Sequence, residues 1–63
     1  MEKTIKAIYM NHFTVELTEA SNGEYIVVYY NSRTKGVHYS ESIRDYGTAS
    51  YLFDLKVDEL SGH

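Results

Sequence analysis

An α+β fold is expected: an antiparallel β-meander of three strands, or four if the first segment breaks, covered on one face by a single C-terminal amphipathic helix. Three observations predict it. Apolar and polar residues alternate through residues 3–18, an Asn-Gly pair at 22–23 separates two such runs, and from residue 48 the apolar spacing becomes helical. Residues 1–63 read as a single domain, with strands at about 3–18, 24–31 and 36–43 and a helix at about 48–60.

In the first run, KTIKAIYMNHFTVELT, the residues Ile5, Ala7, Tyr9, Phe13, Val15 and Leu17 all fall at odd positions, the period of a strand with one apolar face. Asn11 lands on that face and the run exceeds the usual strand length, so a bulge or break is expected near residues 10–12. Asn22-Gly23 suits the two central positions of a type I′ turn, both of which need positive φ. Such a turn sets Ser21 opposite Glu24, Leu17 opposite Val28 and Val15 opposite Tyr30. Odd-numbered side chains from Ile5 to Leu17 and even-numbered ones from Ile26 to Tyr30 should then share one dry layer beneath the helix.

The next link, NSRTKG, admits two registers. A four-residue loop Ser32–Lys35 puts Tyr30 opposite Val37 and Val28 opposite Tyr39, and is preferred. A type I turn closed by Gly36 would instead send Val37 and Tyr39 to the face of Val27 and Tyr29. Through TASYLFDLKVDEL, Ala49, Leu52, Phe53, Lys56, Val57 and Leu60 form the buried stripe of a helix. Asp45 or Thr48 is placed to cap its start and Ser61-Gly62 to end it.

A chain of 63 residues buries only about 60% of the surface its unfolded form exposes, and without cysteine it has no disulfide or thiolate metal site to add. Small domains in that position often self-associate, so a homodimer is one expectation, with the strand at 3–10 pairing to a second copy across an exposed edge. The opening MEKTIKAIYM is too short in apolar residues for a signal peptide or membrane span; no membrane association and a cytoplasmic location are expected. The formal net charge is −3, with the acidity concentrated in residues 47–63, which hold one basic and three acidic side chains.

Catalysis finds little to work with, because no nucleophile elbow, phosphate loop or paired-acid motif occurs; the chain is read as not an enzyme and without a cofactor. His12 and His38 could meet Glu16 or Glu41 across the sheet, but no tight metal-ligand spacing is present and they read as ordinary strand-surface histidines. The sharper signal is on the helix. At about 100° per residue, Tyr51, Asp54, Leu55 and Asp58 gather in one arc opposite Phe53, where a purely solvated face would be polar throughout. A ring and a leucine framed by two carboxylates have the makeup of a small interface core with an acidic rim, suited to a basic surface on a larger protein. The alternative is a nucleic-acid-binding sheet using Tyr25 and Tyr29 as stacking rings beside Arg33, Lys35 and Arg44. Strand segments 25–31 and 37–43 contain no Arg or Lys, and a net negative charge opposes phosphate binding, so nucleic acid is the secondary reading. The tyrosines then serve mainly as amphipathic strand residues with hydroxyls reaching water.

The succession of strand, strand and helix has Y-x-V-x-Y at Tyr25, Val27 and Tyr29, a turn ending at Gly36 and A-x-x-x-F-x-x-x-V at Ala49, Phe53 and Val57. It resembles the arm-type DNA-binding domain of phage integrases, itself similar to the plant AP2 domain. That resemblance implies a sheet in the major groove with Arg33, Lys35 and Arg44 near DNA. The layout of residues 13–60 is also similar to small phage-encoded inhibitors of host defence, such as anti-CRISPR proteins, which are short, acidic and cysteine-free. This second resemblance implies occlusion of a nucleic-acid-binding or partner-binding surface, and carries over no site residues.

Overall fold

The first alternating run does break where Asn11 interrupts it. In the computed structural model, which describes residues 2–62, it forms two strands, β1 (Lys3–Tyr9) and β2 (Phe13–Glu19), closed into a hairpin by the Met10 amide donating to the Phe13 carbonyl at 2.8 Å. With β3 (Tyr25–Asn31) and β4 (Val37–Ile43) they make a four-stranded antiparallel sheet in the order β1-β2-β3-β4. The helix α1 (Tyr46–Leu60) lies over β2 and β3 and touches β4. It starts at Tyr46 rather than near residue 48, because Asp45 is the cap: its carboxylate accepts the Thr48 amide at 2.7 Å and the Thr48 hydroxyl at 2.9 Å. These bonds, backbone first, hold the Asp45 carboxyl below the ordinary aspartate range.

The second hairpin departs from the expected two-residue turn. The Ala20 amide donates to the Glu24 carbonyl at 2.8 Å and the Gly23 amide to the Ala20 carbonyl at 3.1 Å, which leaves a three-residue loop, Ser21-Asn22-Gly23. Only Gly23 takes the left-handed conformation, at φ +88°. Asn22 instead uses its side-chain oxygen to accept the Glu24 amide at 3.0 Å, the local bond by which Asn shapes a turn without needing positive φ itself. One extra loop residue moves the register by one, so Leu17 faces Val27 and Val15 faces Tyr29. The expected pairings of Leu17 with Val28 and Val15 with Tyr30 are thereby corrected. It is the odd-numbered side of β3 that lies beneath the helix.

The two outer strands each carry a register shift. Tyr30 faces Val37 as expected, but the pairing then slips so that Tyr29, not Val28, faces Tyr39, with His38 left over. The β3–β4 loop is pinned by the Asn31 side-chain oxygen, which accepts the Arg33 and Thr34 amides at 2.9 Å each, while Lys35 adopts φ +66°. In β1 the slip is at Ile5, between Thr4 and Lys6. It reverses the expected phase: Lys6 and Ile8 stand opposite Leu17 and Val15 on the helix side, and Ala7 and Tyr9 pass to the other side.

The covered side thus holds the cross-strand rows Ile8-Val15-Tyr29-Tyr39, Lys6-Leu17-Val27-Glu41 and Lys3-Glu19-Tyr25-Ile43. Val15, Leu17, Val27, Ala49 and Phe53 are its buried core, with Ile5, Leu52, Val57 and Leu60 packed around them. Full burial of such a side chain is worth about 1.5–3 kcal/mol, so these few residues supply much of the fold's stability. At the margins, the Lys6 ammonium donates to the Ser50 hydroxyl at 2.9 Å and stands 5.2 Å from the Phe53 ring centre. The Lys56 ammonium stands 4.5 Å from that of Tyr39. No helix among the described residues is long and apolar enough to cross a membrane.

Candidate functional site

The helix stripe that packs on the sheet decides what the opposite side of α1 offers. With Ala49 and Phe53 buried, positions 51, 54, 55 and 58, related by i, i+3, i+4 and i+7, form one outward ridge. Tyr51 is 66% and Leu55 40% exposed, and both Asp54 and Asp58 are exposed beside them. Glu59 is also exposed and bonds to Lys56 at 3.5 Å. Because Lys56 turns its side chain to the Tyr39 ring, the ridge itself carries no positive charge. Asp58 and Glu59 sit in the last turn, where the carbonyl end of the helix disfavours negative charge by a few tenths of a kcal/mol each. Local helix stability therefore does not account for them.

The residues of the nucleic-acid alternative are spread over the molecule. Arg33 and Lys35 lie in the β3–β4 loop, and Lys35 stands 5.6 Å from the Tyr30 ring centre. Arg44 is at the opposite end of the sheet, about 20 Å away by the length of β3, and pairs with Glu24 at 3.5 Å. The Glu24 carboxyl is held low first by a hydrogen bond from Ser42 and then by Arg44. Tyr25 and Tyr29 are on the helix side: Tyr25 meets Tyr46 edge-on at 5.4 Å, and Tyr29 stacks on Tyr39 at 5.5 Å and meets Phe13 edge-on at 5.8 Å. The ring that Lys35 faces is instead that of Tyr30, which was not among the residues expected to bind nucleic acid.

His38 joins the aromatic cluster, its ring 5.3 Å from Phe13 and 6.3 Å from Tyr29. Among the described residues no group of three or more His, Cys, Asp or Glu side chains could hold a metal ion. A groove of about 460 Å³ opens where the β1–β2 link meets the end of α1, between Tyr9, Phe13 and Leu60. It was not legible in the sequence, because its walls come from segments nearly fifty residues apart. No family model matches the chain, and no curated protein and no solved structure matches it.

Proposed function

We propose that this protein is a small non-catalytic binding module that docks the outer ridge of α1 on a basic surface of a larger protein. The observation that carries this reading is an exposed ring and leucine, Tyr51 and Leu55, set between Asp54 and Asp58 on one helix face. Tyrosine provides wide contact area for little conformational entropy, and the carboxylates speed encounter with a positive surface and disfavour negative ones. An inhibitor that covers a nucleic-acid-binding surface would act in this way, its carboxylates taking the place of backbone phosphates. The nucleic-acid alternative draws less support, since Tyr25 and Tyr29 pack against helix and neighbouring rings and the three basic side chains occupy two ends of the sheet.

The test is affinity capture from host lysate with the wild type, with Asp54→Lys combined with Asp58→Lys, and with Tyr51→Ala. A partner held by the wild type and lost by both variants is the expected result. Retention of the same proteins by the charge-reversed variant at physiological salt would overturn the assignment of this face.

A further inference from the structure

The side of the sheet away from α1 is built from the cross-strand rows Tyr9-Thr14-Tyr30-Val37, Ala7-Glu16-Val28-Ser40 and Thr4-Thr18-Ile26-Ser42. No element among the described residues covers it. Among the described residues, the carboxylates on this side are Glu16, half-buried and already accepting the Tyr30 hydroxyl at 2.6 Å, and Glu24, which accepts from Ser42 at one corner and pairs with Arg44. The covered side, by contrast, carries Lys3, Lys6, Glu19 and Glu41. Beside its serines and threonines the uncovered side sets out Tyr9, Ile26, Val28, Tyr30 and Val37, more apolar surface than the polar outer side usual for an antiparallel sheet. Tyr9 is 76% and Val37 63% exposed at the two ends of one row, while Thr14, between Tyr9 and Tyr30, is 1% exposed. It bonds to the Ser32 hydroxyl at 2.8 Å, so no free polar group is offered there.

We infer that this open side is the surface on which a second copy of the chain packs, sheet against sheet, with both α1 helices left outward. Charge selects the occupant. The protein is acidic, and an isologous contact sets each surface against itself, so the α1 ridge with Asp54 and Asp58 repels its own copy. The open side bears Glu16, a Glu24–Arg44 pair at the Ser42 corner and, at another corner over the Tyr30 ring, the ammonium of Lys35, so its charges balance. A two-fold pairing lets Glu16 of each copy meet Lys35 of the other. Edge pairing is the poorer route, because β1 and β4, the two edge strands, each carry a register irregularity and β1 adds Lys3 and Lys6. Four strands at about 4.8 Å by seven residues at about 3.3 Å give a flat area on the order of 450 Å² per copy, the small class of reversible interfaces, so dissociation in the micromolar range is expected. The resulting dimer would be bivalent for whatever α1 binds, but the inference rests on the sheet alone and stands or falls independently of the helix reading.

Sedimentation equilibrium of the full chain, from about 1 to 500 micromolar to bracket that range, tests it. The average mass should rise from 7.3 kDa toward twice that value in the wild type and in Tyr51→Lys. Tyr9→Lys combined with Val37→Lys, at two exposed positions, should remain at 7.3 kDa throughout. A wild type fixed at 7.3 kDa, or a double variant that dimerises like the wild type, overturns the inference. Amide and side-chain NMR shifts of the wild type on dilution give a readout free of mutation. Changes centred on Tyr9, Val28, Tyr30 and Val37 support the inference; changes confined to Tyr51 and Leu55, or to the outer edge of β1, overturn it.

Discussion

The two sides of this sheet both carry valines, isoleucines and tyrosines, and these meet opposite fates. Beneath α1, Val15, Leu17 and Val27 are fully buried against Ala49 and Phe53, and lysines and glutamates are pushed to the margins, where they close over the core. On the other side, Ile26, Val28 and Tyr30 occupy the alternate positions of the same strand, and no helix among the described residues lies over them. The difference teaches that burial here is set by register and not by hydrophobicity. The strand YIVVYY is apolar at both parities, and the side that becomes core is the side that the preceding turn rotates toward the helix.

The contrast can be broken most forcefully at the core. Phe53→Ala should cost about 3–5 kcal/mol and leave so small a domain largely unfolded, whereas Val28→Ala, measured in dilute solution, should cost about 1 kcal/mol or less. Urea unfolding followed by circular dichroism checks both. Comparable losses at the two positions would show that the open side is as well packed as the covered one.

The turn that chooses between the sides is the next target. Gly23 has φ +88° and nothing within 4 Å of a Cβ placed on it, so Gly23→Ala should cost about 1 kcal/mol through backbone conformation alone, and Gly23→Asn less. Thermal unfolding of the three proteins gives the ranking, and equal midpoints would mean that the loop is not held in this form.

The smallest effect is an alkaline one. Burial first, and then the hydrogen bond to the Glu41 carboxylate at 2.6 Å, push the Tyr39 hydroxyl up to about 12. The folded state therefore holds that proton more tightly than the unfolded chain, whose tyrosines titrate near about 10. The stabilisation is complete below that pH and is lost as pH rises through about 12. Urea midpoints across this window should fall for the wild type and fall less for Tyr39→Phe. Tyr30 is also raised, chiefly by its bond to Glu16, so a Tyr30→Phe control separates the covered side from the open one.

Much of this was legible in the residues. The break at Asn11, the strand at Phe13–Glu19, the helix with Ala49 and Phe53 inward, the Asp45 cap and the outward ridge of Tyr51, Asp54, Leu55 and Asp58 all follow from period and capping chemistry, which act over a few neighbouring residues. The phase of β1 and the sides of β3 did not follow. The slip at Ile5 leaves no mark in a run of alternating residues, and Asn22-Gly23 is compatible with a two- or a three-residue loop.

What the sequence determined by itself, then, is the set of elements and their order, because alternation, helical spacing and caps are written in adjacent side chains. Which of two apolar sides of the sheet lies beneath the helix, and which is left bare, was decided only in the folded molecule. There one extra loop residue at Ser21–Gly23 and one slip in each edge strand fix the rotation of whole strands against Phe53.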